Sequence, residues 1–309
     1  MHRDDLRSTL TGAIAFPVTP FNSDLSVNIE GLRANVRFLL NPSPAAVVAA
    51  GGTGELYSLT PGEHADVVRT VVEECQGRIP VIAGAGCSAA IGTELAKRAA
   101  DLGADGILAF PPYYPNADDH GLVEYYRALG AATSLGLLIY SRDWFHPGPA
   151  LVERLAKLPT LVGWKDGQGD LRRLQILRAS VGDRLHWIGG AGDDMVPAYY
   201  AAGLRAYTSS ISNVAPALSA ALHASAAGGD AAALSSMMSS AVIPLYALRS
   251  RRKGYEVSVM KALMDLLGLA GGPVRPPLVD VRPDDVSVLK ELVTAFRMWQ
   301  VGQPQTLPR

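Results

Sequence analysis

The chain has 309 residues, 48 % of them apolar and 18 % charged, with a formal net charge of -1. That length fits one large α/β barrel or two ordinary domains, and the near-zero charge leaves no basic excess for a nucleic-acid surface. Two cysteines, Cys75 and Cys87, give neither a disulfide framework nor a metal spacing and suit a reducing, cytoplasmic setting; no secretory leader is visible after Met1-His2-Arg3-Asp4-Asp5, and the Ala-rich apolar runs are interrupted too often to predict a membrane span.

In chain order, Gly12 to Phe16 is a short apolar run stopped by Pro17, and Asn28 to Leu40 has helical spacing with Leu32, Val36 and Leu39 on one face. Ala45 to Ala50 is a second apolar run, ending in Gly51-Gly52-Thr53-Gly54-Glu55. Thr60-Pro61-Gly62-Glu63 has the form of a capping box with Pro at the first helical position, which predicts a helix to about Glu74. Predicted strands then follow at Pro80 to Gly84, Gly106 to Phe110, Leu135 to Tyr140, Leu161 to Lys165, Leu185 to Gly189 and Ala206 to Ser209. They alternate with helices at Ala89 to Ala100, Gly121 to Ala132, Pro149 to Leu158, Leu171 to Val181, Met195 to Ala202 and Pro216 to Ala227.

Eight strands too apolar to face water, each followed by a helix, predict a (β/α)8 TIM barrel over residues 1–228. The competing doubly wound sheet usually has fewer strands, and no Gly-x-Gly-x-x-Gly follows the first strand. Past Gly228-Gly229-Asp230 the alternation stops. Helical stretches at Ala231 to Ser250, Tyr255 to Leu267 and Asp284 to Trp299 predict a C-terminal three-helix extension, residues 229–309, packed on the barrel. Its basic run, Arg249-Ser250-Arg251-Arg252-Lys253, reads as a solvated or dipole-complementing patch.

Chemistry is expected where the C-terminal strand ends converge on one mouth. Lys165 is the last inward-pointing residue of a buried strand, where burial drives an ammonium toward the neutral amine that attacks carbonyls. Alone it reads equally as a core-edge lysine whose stem packs while its charge reaches solvent. The other strand ends bring Gly51 to Glu55, a turn able to aim free N–H groups at a carboxylate, then Pro111-Pro112-Tyr113-Tyr114, Tyr140-Ser141-Arg142-Asp143, the Gly189-to-Asp193 turn and Ser209-Ser210. Asp193-Asp194 at a helix start opposes an anion, so that turn is read as a capped one. The six histidines have no ligand spacing, which argues against a metal site. Asp166 should point away from Lys165 on an alternating strand, so a two-carboxylate hydrolase is poorly supported.

Together the turn Gly51 to Glu55, Tyr140 closing the fifth strand and Lys165 closing the sixth resemble the dihydrodipicolinate synthase / N-acetylneuraminate lyase family of Schiff-base barrels. Ala49 to Glu55, Tyr140 to Asp143, Trp164 to Gly167, Leu248 to Tyr255 and Gly272 to Leu278 are most similar to its 5-dehydro-4-deoxyglucarate dehydratase branch. Gly52 stands where the synthases carry a threonine, as in that branch, so the hydroxyl relay of the synthases is incomplete here. The resemblance implies a decarboxylating hydro-lyase that needs no metal or organic cofactor and works as a homotetramer or homodimer on a small sugar acid. Lys165 would form an imine, Tyr140 would move protons, and Gly52 and Thr53 would hold the carboxylate beside the ketone. Arg142 would meet the far carboxylate and Ser209 a hydroxyl or the leaving group. An aldolase, lyase or synthase acting on another 2-oxo acid is the nearest alternative. A non-catalytic 2-oxo-acid-binding regulator on the same scaffold is the other.

Overall fold

All eight apolar runs are strands: β1 (Gly12–Ala15), β2 (Ala46–Ala49), β3 (Val81–Cys87), β4 (Gly106–Pro112), β5 (Gly136–Ser141), β6 (Leu161–Asp166), β7 (His186–Gly189) and β8 (Ala206–Ser209). They pair in parallel in sequence order, and β1 closes on β8 to make a barrel. The structure, a computed structural model, describes residues 2–113 and 117–300; Tyr114 lies outside the described residues.

Strand alternation sorts the side chains into two cores. Ile14, Ala46, Val48, Ile82, Leu108, Leu138, Val162, Ile188 and Ala206 fill the barrel interior. Val47, Ala83, Ile107, Ile139, Trp164 and Tyr207 point outward, into the layer shared with the helices. These helices keep the expected positions. The one at Pro61–Cys75 begins with the full Thr60–Glu63 capping box, and Asn28, Ser88, Asp118 and Asp170 each cap a helix through a side-chain oxygen.

Sequence reading missed one closing element. A seven-residue helix, Arg3–Thr9, packs against β5 and β6, and its Leu6, followed by Leu10, enters the interior core. These two leucines stopper the N-terminal end of the barrel, which leaves the opposite end to open. β4 also runs further than expected, through Pro111 and Pro112, with Pro112 paired to Cys87 across an irregular register.

The C-terminal helices lie on the barrel. The first runs from Ala231 to Arg249, through a π turn at Met238–Val242 just before Pro244. Proline lacks the N–H that a regular helix needs there, and the widened turn accommodates the lost bond. Among the described residues this helix alone has the length and apolarity to cross a bilayer. Here its Ala241, Val242, Leu245 and Leu248 belong to the same apolar cluster as Leu218 and Leu222 of the last barrel helix. Helices Tyr255–Leu266 and Pro283–Arg297 complete the extension, and Tyr255, Met260, Leu289 and Phe296 join that cluster.

Candidate active site

A cavity of about 510 Å³ opens at the C-terminal end of the strands. Lys165 lies at its base, only 4 % exposed. Its inward aim depends on a break in register. Leu137 pairs with Leu161 but Leu138 pairs with Gly163, so β6 carries one extra residue. Val162 and Lys165 therefore both face inward although three positions separate them, and Trp164 and Asp166 face out.

Lys165 Nζ donates to the Gly190 carbonyl at 3.2 Å and sits 3.1 Å from the centroid of the Tyr140 ring and 5.1 Å from that of Phe16. Tyr140 is its register partner on β5. Burial pushes the Lys165 ammonium well below the ordinary lysine range, the positive charge of Arg142 pushes the same way, and Asp166 opposes both. Both effects favour the neutral amine. Asp166 itself accepts from the Tyr199 hydroxyl at 2.8 Å and from the Gly169 N–H at 3.2 Å, on the outer side of the strand. Backbone crowding keeps Lys165 upright: a Cβ on Gly190 would lie 2.5 Å from Lys165 Cγ. Burial raises the Tyr140 phenol, so it stays protonated.

Gly52 and Thr53 line the same cavity, and among the described residues no group accepts their N–H donors or pairs with the Thr53 hydroxyl. The turn that carries them is locked from beneath. Glu55, wholly buried and left-handed at φ 54, meets Lys261 Nζ at 2.5 Å and accepts from the Arg275 N–H at 3.2 Å. Arg275 also donates to the Ser58 carbonyl at 2.8 Å and to Glu63. The turn therefore owes its shape to the extension.

Arg142 lines the cavity beside that turn. A Cβ on Gly52 would come 3.3 Å from Arg142 Nη1, so the glycine makes room for the guanidinium where a threonine would press on it. Arg142 ion-pairs with Asp143 at 2.8 Å and stands 5.3 Å over the Tyr140 ring.

Ser209 lines the cavity, but its hydroxyl is engaged by its neighbours. Its hydroxyl donates to Asp193 at 2.5 Å, lies 2.7 Å from the Ser219 hydroxyl, and is fully buried. Thr208, Ser209 and Ser210 all line the cavity, and alternation from the inward Ala206 turns the side chains of Tyr207 and Ser209 toward the outer layer. The Gly189-to-Asp193 turn also differs from expectation. Asp193 caps no helix; it gathers Ser209, the Ser210 N–H at 3.1 Å and the Tyr246 hydroxyl at 2.9 Å into one buried knot.

Several of the residues that sequence reading missed come from the extension. Tyr246, Arg249, Lys253, Glu256 and Leu278 all line the cavity. The basic run divides in two: Arg251 and Arg252 pair with buried Asp285, whereas Arg249 and Lys253 face the cavity. Arg249 ends a helix and Lys253 lies in the turn after it, so no helical periodicity in the sequence joined the two. Among the described residues no cluster of three or more His, Cys, Asp or Glu side chains could hold a metal ion.

Residues 9–296 match the model of the dihydrodipicolinate synthetase family. A relative from Bradyrhizobium diazoefficiens, named probable 5-dehydro-4-deoxyglucarate dehydratase, is 40 % identical over 92 % of this chain and 91 % of its own. A relative of the same name from Ralstonia nicotianae is 40 % identical over 92 % of each chain. The crystal structure of dihydrodipicolinate synthase from Oceanobacillus iheyensis superposes with a TM-score of 0.89 at 31 % identity, covering 96 % of this chain and 100 % of that one.

Proposed function

This chain belongs to the dihydrodipicolinate synthetase family, and we propose that within it the protein converts 5-dehydro-4-deoxyglucarate to 2,5-dioxopentanoate, water and carbon dioxide through a lysine imine. The observation that carries the substrate assignment is the set of relatives about 40 % identical over more than nine-tenths of the chain that bear the dehydratase name. The observation that supports the chemistry is a buried lysine, its charged form disfavoured by burial, on the same cavity as a turn with free N–H donors.

In this reading Lys165 attacks the substrate ketone and releases water as the imine forms. The protonated imine withdraws electrons, so the neighbouring methylene loses a proton and the β-hydroxyl departs as a second water. The new double bond conjugates the imine with the carbon that carries the far carboxylate. Loss of carbon dioxide sends its bonding pair through that system to the imine nitrogen. Tautomerisation of the resulting enol to the aldehyde and hydrolysis of the imine, which consumes one water, free the product and Lys165. The imine is the electron sink, so the sequence of steps calls on no metal or organic cofactor.

Tyr140, protonated and against Lys165, supplies and retrieves protons as the imine forms. The Gly52 and Thr53 N–H groups, with the Thr53 hydroxyl, hold the carboxylate beside the ketone. Arg142 flanks that carboxylate and disfavours a charged Lys165. Family membership supports a homotetramer or homodimer acting in the cytoplasm. Purified protein incubated with 5-dehydro-4-deoxyglucarate should release carbon dioxide and 2,5-dioxopentanoate in equal amounts. Free pyruvate in their place would identify a carbon–carbon lyase, and neither product would overturn the assignment.

A further inference from the structure

The geometry points to Arg249, a residue of the C-terminal extension, as the group that receives the far carboxylate, and we propose that it makes the site selective for 2-oxo diacids. This deepens the proposed function and rests on it. A substrate with a carboxylate at each end needs two anion sites, one on either side of Lys165. Two arginines line the cavity, and their surroundings differ.

Arg142 stands on the Gly52 side, within reach of a Cβ at that position. Its charge is already matched by Asp143 at 2.8 Å, and Glu256 acts on it as well. A second carboxylate arriving there would meet two acidic groups and the near carboxylate at once.

Arg249 stands elsewhere. Lys165 holds the Gly190 carbonyl, and two residues further on Gly192 lies against Tyr246, with a Cβ there 2.9 Å from the Tyr246 hydroxyl. Two residues span at most roughly 7 Å. Arg249 stacks on that Tyr246 ring at 4.4 Å, so it belongs to the end of the cavity reached along this loop from Lys165. Among the described residues no carboxylate lies within ion-pair distance of it. Its one hydrogen bond goes to the Ser210 hydroxyl at 2.8 Å, and its buried Nε has no partner. Two acidic groups stand nearby: Asp193, reached through the Ser210 hydroxyl and occupied by Ser209, Ser210 and Tyr246, and Asp194, which feels the Arg249 charge but makes no ion pair with it. The stacked ring and the serine fix the plane of the guanidinium, which lines the cavity without a carboxylate partner and so can receive one. Lys253, exposed at the rim, adds positive potential.

The test compares 2-oxoadipate with 2-oxohexanoate, six-carbon 2-oxo acids that differ only in the far carboxylate. Each is trapped on Lys165 with borohydride, and half-saturation is read by intact mass. The wild-type protein should favour the diacid, and Arg249→Gln should reduce the diacid-to-monoacid preference about 10- to 100-fold. Arg251→Gln, drawn from the same run but directed at Asp285, should keep the wild-type preference, and thermal melts identify any variant that has not folded. An unchanged preference in Arg249→Gln, or equal trapping of both acids by the wild type, overturns the Arg249 assignment and leaves the imine reading standing. No trapping of either acid by the wild type overturns both.

Discussion

Two buried lysines in this molecule have nearly the same surroundings and opposite fates. Lys165, at the base of the barrel mouth, is 4 % exposed and lies against the Tyr140 ring; Lys261, at the joint between the extension and the turn after β2, is 1 % exposed and lies 4.1 Å over the Phe21 ring. Burial is the largest influence on both and lowers both. What separates them is the counter-charge. Lys261 has Glu55 at 2.5 Å and the Pro273 carbonyl at 2.9 Å. Lys165 has a single carbonyl at 3.2 Å, and the charge nearest it in effect is that of a cation, Arg142. A buried amine with a carboxylate against it is a structural clamp, and the one without is the amine proposed as the nucleophile.

The strongest way to break this comparison is chemical. Lys165→Ala should lower turnover about a thousandfold or more and abolish borohydride trapping with substrate, even though Lys261 is intact. Peptide mapping of the trapped wild-type protein should find the adduct on Lys165, and an adduct on Lys261 would reverse the two roles.

Stability supplies the complementary test. Lys261→Met strands the buried Glu55 carboxylate and should cost about 3–5 kcal/mol, read by chemical denaturation. Adding Glu55→Gln should recover part of that loss, because the second change removes the unpaired charge. A Lys261→Met protein as stable as the wild type would show that the clamp contributes nothing.

The finest test concerns the charge next to Lys165. Imine formation requires the neutral amine, so kcat/KM should rise with pH through the Lys165 pKa and level off well below the 10.5 of an ordinary lysine. Arg142→Gln removes a cation that disfavours the charged amine. The Lys165 pKa then rises and the acid limb moves to higher pH. An acid limb that stays in place or moves to lower pH would remove Arg142 from the control of Lys165.

Much of the architecture was legible in the residues. Apolar runs bounded by Gly and Pro marked all eight strands, and capping residues such as Thr60 and Asp170 marked the helices, because both signals are local and one-dimensional. Lys165, Tyr140, Gly52, Thr53 and Arg142 were found because each ends a strand or begins the turn after it, and the barrel brings those ends together. Ser209, placed at the mouth by the same logic, lines the cavity with its hydroxyl turned to Asp193 and Ser219, as counting alternation from Ala206 would indicate.

What the sequence determined by itself is therefore the period of the chain and the identity of the residues at one rim. Three features belong to the tertiary structure, since each depends on residues far apart in the chain. The extra residue in β6 that aims Lys165 inward follows from how β5 and β6 pair. The shape of the Gly52–Thr53 turn follows from Lys261 and Arg275, more than 200 positions away, packing beneath Glu55. The split of the basic run between Asp285 and the cavity follows from where the extension docks. The role proposed for Lys165 rests on the same kind of contact: an apolar run can mark a lysine as buried, but only the packed neighbours decide whether a carboxylate lies beside it.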